Sequence, residues 1–391
     1  MVNFEFCSPT KVFFGKDQEK KIGEIIKGYG ASKVLLHYGG GSIKRNGLYD
    51  TVVKSLKEAG IDFVELGGVK PNPRVSLVRE GIALGRREGV DFILAVGGGS
   101  TIDSAKAIGV GIPYDGDVWD FYDKSAVPAV TLPVATILTI AAAGSEMSPS
   151  SVITNEDGWF KRGLDIDLIR PVFSILNPAL TCSVPAYQTA CGAADIMAHI
   201  MERYFTNVDD VDYSDRLCEA SMQSVIRALP KVLKNTDDYA ARAEIMWTGC
   251  VAHNDLLSCG RIGDWASHMI EHEVSGIYDI AHGAGLAICF PAWMKYVYKH
   301  NITRFVQFAV RVWGVDNDFY DPEATALKGI ERLENFLRYD CALPTRFSDV
   351  GIGDDRFEEM ADKATANDTK KIGNFVKLSK QDIVNIYSLA K

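Results

Sequence analysis

Between Lys33 and Val96 the chain repeats one pattern, in which a short apolar run gives way to a turn, an amphipathic stretch and another apolar run. Lys33–Tyr38 (KVLLHY), Asp62–Leu66 and Asp91–Val96 (DFILAV) read as strands, and Asn46–Ala59 and Arg74–Glu88 carry helical spacing. Strands joined through crossover helices cannot pair as hairpins, so they must lie parallel in a sheet covered by helices. The rhythm stops near Asn177-Pro178. Beyond it β-branched runs thin out, and Pro185–Phe205, Tyr213–Leu233, Tyr239–Leu257, Gly263–Val274 and Asn301–Val312 all read as helices. A chain of 391 residues is long for a single core. The expectation is therefore two domains with a cleft between them: residues 1–178 as an α/β domain with a parallel sheet, and 179–391 as an all-helical domain.

Composition narrows the class. Forty-two basic against fifty-one acidic residues leave a formal charge of −9, with no long basic run, which argues against a nucleic-acid surface. Eight cysteines without a CxxC pair read as reduced thiols of a cytoplasmic protein, and the N-terminus has an acid and a proline where an export signal needs a basic end and an apolar run. Ser125–Ser145 is uncharged and nearly long enough to span a bilayer, but Pro128, Pro133 and three threonines identify it as a buried strand entering a tight loop.

Two glycine triplets, Gly39-Gly40-Gly41-Ser42 and Gly97-Gly98-Gly99-Ser100, each follow a strand and precede a helix. Glycine admits a diphosphate close to the backbone, and the helix that follows offers N–H donors and the positive end of its dipole. Ser100-Thr-Ile-Asp103 has the form of a capping box, which makes the second triplet the stronger phosphate site. Neither triplet fits the G-x-G-x-x-G fingerprint, so an ordinary Rossmann assignment is excluded. The first turn, Tyr38-Gly-Gly-Gly-Ser42-Ile-Lys44-Arg45, carries no acid for a ribose 2′-OH, and that leans towards NADP with Ser42 and Lys44 near a 2′-phosphate.

Of seven histidines, His268, His272 and His282 fall within fifteen residues, and Asp195 and His199 stand one helical turn apart. A carboxylate and an imidazole at that spacing share one helix face. Mixed nitrogen and oxygen donors suit iron, zinc or another first-row divalent cation. Spacing alone leaves five candidates for four places. His37, His253 and His300 have no partner at ligand spacing and read as structural or exposed.

With these motifs the chain closely resembles the iron-containing alcohol dehydrogenase family, its NAD(P)H-dependent butanol dehydrogenase branch above all. The residues that carry the likeness are Tyr38-Gly-Gly-Gly-Ser-Ile-Lys, Val69-Lys-Pro-Asn-Pro73, Ala95-Val-Gly-Gly-Gly-Ser100, Gly144-Ser-Glu146, Gly192-Ala-Ala-Asp195-x-x-x-His199, His268-x-x-x-His272 and Ala281-His282-Gly283. The resemblance implies a dinucleotide-binding α/β domain followed by an all-α metal-binding domain, the dehydroquinate synthase-like architecture. It implies metal ligation by Asp195, His199, His268 and His282, with His272 as proton relay. It places cofactor contacts on Gly98, Gly99, Ser100, Thr139, Ser145, Lys161 and Leu180. The sequence departs at Ala141-Ala-Ala-Gly144, where many members have a threonine.

The activity so implied is reversible reduction of a small aliphatic aldehyde such as butanal by NADPH or NADH in a cytoplasmic homodimer, with Met147, Trp265 and Phe290 as apolar pocket groups. Glycerol dehydrogenase-like polyol oxidation is the nearer alternative. A dehydroquinate synthase-like lyase would need a basic pocket for its phosphorylated substrate, and the metal motifs are accompanied only by Arg203, Arg216 and Arg261.

Overall fold

The computed structural model describes residues 1–391 and divides the chain into two compact units, Cys7–Val184 and Pro185–Lys391, the latter including Met1–Phe6. In the first unit the strands are β1 (Lys11–Phe14), β2 (Lys33–Tyr38), β3 (Asp62–Leu66), β4 (Phe92–Gly97), β5 (Val134–Leu138), β6 (Ser150–Asn155), β7 (Phe160–Asp165) and β8 (Phe173–Leu176). The helices α1 (Ile22–Gly28), α2 (Ser42–Arg45), α3 (Leu48–Glu58), α4 (Val75–Glu88) and α5 (Gly99–Gly111) alternate with them. Six strands form one sheet in the order β1-β8-β5-β4-β2-β3, parallel throughout. The pair β6 and β7 stands apart as an antiparallel hairpin. Every residue of β4 and β5 is buried, which is why these runs lack the alternation of a half-exposed strand. Val34, Leu36, Leu94 and Ile137 of the sheet pack with Ile22, Ile26, Val52 and Leu56 of α1 and α3.

Strand order decides where a ligand can enter. From β2 the chain crosses to β3 on one side, and from β4 it continues to β5 on the other. The order therefore reverses between β2 and β4, and open α/β sheets bind ligands at the carboxyl ends of strands at such a point. Both glycine triplets lie there, because Tyr38 of β2 pairs with Val96 of β4.

The second unit consists of α6 (Ala186–Tyr204), α7 (Asp212–Lys234), α8 (Tyr239–His253), α9 (Ala266–Tyr278), α10 (His282–Val297), α11 (Ile302–Trp313), α12 (Pro322–Asn335), α13 (Phe357–Thr365) and α14 (Lys380–Leu389). The amphipathic helices follow the sequence expectations closely, although α8 stops at His253, short of Leu257, and α9 runs on to Tyr278. Helix α10 has no counterpart among those expectations. It is buried from Gly283 to Met294, so it has no polar face and leaves no periodicity to read. The same burial corrects the reading of Phe290 as a pocket residue, since its ring packs against Phe205 and Trp293 and is 1% exposed.

Ser125–Ser145 contains β5 flanked by irregular chain, and no helix is long and apolar enough to cross a membrane. No disulfide joins the eight cysteines.

Candidate active site

Helix α6 is buried from Thr189 to Tyr204, and its exposed-type residues are therefore the informative ones. Asp195 and His199, one turn apart, face α9 and α10. Asp195 Oδ1 lies 3.3 Å from His199 Nε2, 4.0 Å from His268 Nε2 and 3.8 Å from His282 Nε2. Ligand atoms of Asp195, His268 and His282 all lie within 4.8 Å of one another and could hold one metal ion, with His199 beside Asp195; Glu271, His272 and His282 form a second group of the same closeness. The donor set behaves accordingly. His268 Nε2 is buried and makes no hydrogen bond within the chain. Burial, then the neighbouring rings of His253 and His268, hold His199 well below the usual imidazole range, so its ring is neutral and keeps a lone pair. These residues fit a divalent cation.

Each of the three histidine rings around Asp195 is held from behind. His268 Nδ1 pairs with Glu202 Oε1 at 2.8 Å, His282 Nδ1 with Glu271 Oε2, and His199 Nδ1 with His253 Nδ1 at 2.8 Å. When Nδ1 carries the proton, Nε2 offers its lone pair to the metal, and the partner fixes both tautomer and ring angle. Glu202 does more: it also accepts from the backbone N–H of Trp265 at 2.6 Å and of His268 at 3.0 Å, and so holds the first turn of α9. Trp265 adopts a left-handed φ of 70°, uncommon for a bulky residue, at the start of that helix. Its ring lies 5.4 Å from that of His268 and 5.9 Å from that of His199.

Two glycines make room for α10. A Cβ on Gly283 would lie 1.9 Å from the Cys191 carbonyl oxygen of α6, and one on Gly285 would lie 2.3 Å from Glu271 Oε1. The motif His282-Gly-Ala-Gly285 thus records a close helix crossing.

His272, half-buried, stands beside this group, its ring centroid 6.5 Å from that of His268 and 5.6 Å from that of His282. Spacing had left it equivalent to His268. His253, without a partner at ligand spacing in the sequence, is buried and finds one on a helix remote in sequence. Glu202 and Glu271 escaped the sequence reading although a signal existed: each is an acid one turn after one of the candidate histidines, on the same helix. His37 is buried between Leu66 O and Ser104 Oγ, and His300 is exposed.

In the first unit Gly41, with φ of 94°, begins α2, and Gly98 begins α5. The expected capping box is absent. Ser100 lies inside the helix, and Asp103 turns away from the helix start to accept from Ser145 Oγ at 2.5 Å and from Val152 N at 3.0 Å. Thr139 N donates to Gly97 O at 3.0 Å, so the chain leaving β5 passes directly over the second triplet. Gly39 and Gly40 lie in the neighbouring turn, Gly39 within 3.9 Å of Thr101 Oγ1 measured from an added Cβ. Burial pushes the Asp103 carboxyl up, and Lys106 and, more weakly, Lys161 of β7 oppose that; Leu180, in the turn Pro178–Thr181, packs on the sheet core. The first turn also has an acid that its own residues did not show. Glu65 of β3 accepts from Tyr38 and Tyr49 and lies 3.6 Å from Lys44 Nζ.

The comparisons with known proteins identify the family. A family model described as iron-containing alcohol dehydrogenase matches residues 9–178, and one described as the C-terminal part of the Fe-containing alcohol dehydrogenase family matches 189–391. The chain belongs to the iron-containing alcohol dehydrogenase family. It is 46% identical over 386 residues to the probable NADH-dependent butanol dehydrogenase 1 of Bacillus subtilis, covering 99% of both chains. To the NADPH-dependent aldehyde reductase YqhD of Escherichia coli it is 32% identical, covering 95% of both. The crystal structure of NADH-dependent butanol dehydrogenase A from Thermotoga maritima superposes with a TM-score of 0.96 at 41% identity, covering 100% of this chain and 99% of the other. Members of this family use NAD(P)H and a divalent metal, so this chain is an NAD(P)-dependent alcohol dehydrogenase or aldehyde reductase.

Proposed function

We propose that this dehydrogenase interconverts small aliphatic aldehydes and primary alcohols of the butanal and butanol type. The observation that carries the reading is one carboxylate oxygen with three Nε2 atoms within 4.0 Å of it, each imidazole held through Nδ1. Asp195, His199, His268 and His282 would hold iron or zinc. Bound there, the cation supplies Lewis acidity at the carbonyl oxygen. Gly97–Ser100 and Gly39–Ser42, with Thr139, Ser145, Lys161 and Leu180, would hold the dinucleotide, whose nicotinamide carries the hydride. His272 would exchange the alcohol proton with solvent, an imidazole being able to do so near neutral pH. Trp265, beside His199 and His268, offers the substrate an apolar wall.

A phosphorylated substrate is disfavoured by the fate of the arginines. Arg203 donates to His199 O and Ser258 Oγ, Arg261 pairs with Asp215, and Arg216 pairs with Asp212 and Glu219. Oxidation of NADPH and NADH by metal-loaded enzyme with butanal, glycerol-derived aldehydes and a phosphorylated sugar acid tests the reading. Release of inorganic phosphate from the sugar acid with no oxidation of NADPH or NADH by any aldehyde, or no turnover with any aldehyde, rejects it.

Between dinucleotides we favour NADPH, because Ser42 and Lys44 stand at the first turn and the Arg45 guanidinium lies 3.8 Å from an added Cβ on Gly41. The second reading, NADH, is supported by Glu65 beside Lys44 and by the NADH-dependent relatives. A higher kcat/KM with NADH than with NADPH selects the second. A cytoplasmic homodimer is the assembly we propose, and sedimentation of the purified protein as a monomer would dispose of it.

A further inference from the structure

Helix α5 carries two ionisable side chains, Asp103 and Lys106, and the second lies wholly inside the protein. Lys106 is completely buried among Ala105, Ala107 and Ile108, where an aliphatic residue would cost nothing in solvation. Its ammonium is surrounded by five oxygens of one loop: Ser145 O at 2.7 Å, Ser145 Oγ at 3.0 Å, Ser148 O at 2.9 Å, Ser148 Oγ at 3.3 Å and Ser150 O at 2.7 Å. Three carbonyls and two hydroxyls around one positive centre resemble the shell of a bound monovalent cation. Asp103, one turn earlier on α5, completes the grip by accepting from Ser145 Oγ and Val152 N, while its own carbonyl accepts from Ser151 Oγ at 2.9 Å.

The gripped loop is the one that crosses the second glycine triplet. Between Thr139 and Pro149 it has no helix or strand of its own, so nothing internal fixes its path. At its start Ile140 covers Gly98, where an added Cβ would meet the Ile140 side chain at 2.1 Å, and Ala143 stands 3.5 Å from the equivalent point on Gly99. One helix therefore holds the loop at two places, the glycines at its N-terminus and Lys106 in its interior. The distance between Thr139 or Ser145 and the phosphate-binding turn depends on both.

We propose that Lys106 is a positioning residue for the dinucleotide. Its ammonium acts as a built-in cation that folds Ser145–Ser150 onto α5 and so sets the cofactor loop against Gly98 and Gly99. The assignment rests on the dinucleotide reading of that turn given above.

The test uses the metal-loaded enzyme and the fluorescence of NADPH and NADH. Lys106→Ala should weaken dinucleotide binding by about tenfold or more, the loss expected when several charge-assisted hydrogen bonds disappear. KM for the dinucleotide should rise with it, while kcat and KM for the aldehyde change less. n-Propylammonium, which replaces the deleted side-chain atoms, should restore binding, and tetramethylammonium, which has no N–H, should not. Unchanged affinity in Lys106→Ala overturns the proposal. So does a loss that propylammonium fails to relieve, because that would show a packing defect instead of a missing ammonium. Ser148→Ala removes one acceptor and should weaken binding in the same direction by a smaller factor; if Lys106→Ala fails to fold, wild-type affinity in Ser148→Ala overturns the proposal by itself. Failure of the wild-type enzyme to bind either dinucleotide would instead reject the underlying reading of the turn.

Discussion

Replacing Gly283 by alanine sets a favourable local effect against an unfavourable packing one, and the geometry says which prevails. Alanine in a helix is ordinarily preferred to glycine by about 1 kcal/mol. At Gly283, however, the added Cβ would stand 1.9 Å from Cys191 O, 2.6 Å from Cys191 C and 2.9 Å from Cys191 Cα. These are backbone atoms, so no rotamer change relieves them, and α10 and α6 must separate by about 1 Å in a close-packed interior. Overpacking of this kind costs about 1–3 kcal/mol, which cancels or exceeds the gain in propensity. The consequence for the site is sharper. His282 opens α10 and Asp195 lies one turn beyond Cys191 on α6, so the 3.8 Å between His282 Nε2 and Asp195 Oδ1 would grow beyond the ~0.5 Å tolerance of a metal constellation.

Gly283→Ala should therefore lose metal affinity by about ten- to a hundredfold, and its apoprotein should melt no higher than wild type. Titration of the apoprotein with zinc against a competing chelator, alongside thermal melts followed by circular dichroism, measures both. Gly28→Ala is the control, since Gly28 ends α1 on the surface with nothing within 4 Å of an added Cβ. Wild-type metal affinity in Gly283→Ala would refute the claim that the crossing of α6 and α10 sets the ligand geometry.

Further outcomes follow from the same structure. Asp195→Ala should purify without metal, whereas His272→Ala should retain it and lose turnover; equal metal loss in both would reject the division of roles. Glu202→Gln should bind metal about ten- to a hundredfold more weakly, because it disturbs the partner of His268 Nδ1 and the first turn of α9. A Co²⁺-substituted variant with the wild-type absorption spectrum and affinity would contradict this. In the sheet, burial depresses His37 from 6.5 to about 4. The neutral ring's contribution to stability is then complete above pH 6.5 and is lost as pH falls towards about 4, roughly 3 kcal/mol in all. Urea titrations across that window should show a shallower acid loss in His37→Asn, and an identical slope would refute the assignment.

What the sequence determined by itself is what depends on near neighbours. The strands Lys33–Tyr38 and Asp62–Leu66 were legible to the residue, the first because a strand inside a parallel sheet is a nearly uninterrupted apolar run, the second, at the sheet edge, from its place in the strand and helix rhythm. The pairing of Asp195 with His199 was legible from helical period alone. The rest needed the fold. That His268 Nε2 comes within 4.0 Å of Asp195 Oδ1 is a matter of which face of α9 meets α6, and His268 and His272 share the spacing that a sequence can show. Helix α10 was invisible because its complete burial removes the polar face that would mark it. Asp103 has the sequence of a capping residue, yet a loop more than forty positions later offered it better donors. His253, Glu202 and Glu271 hold the rings of His199, His268 and His282 through contacts between helices, the first across fifty-four positions. Local period specifies which face a side chain occupies, and only the packing of one element on another decides what that face meets.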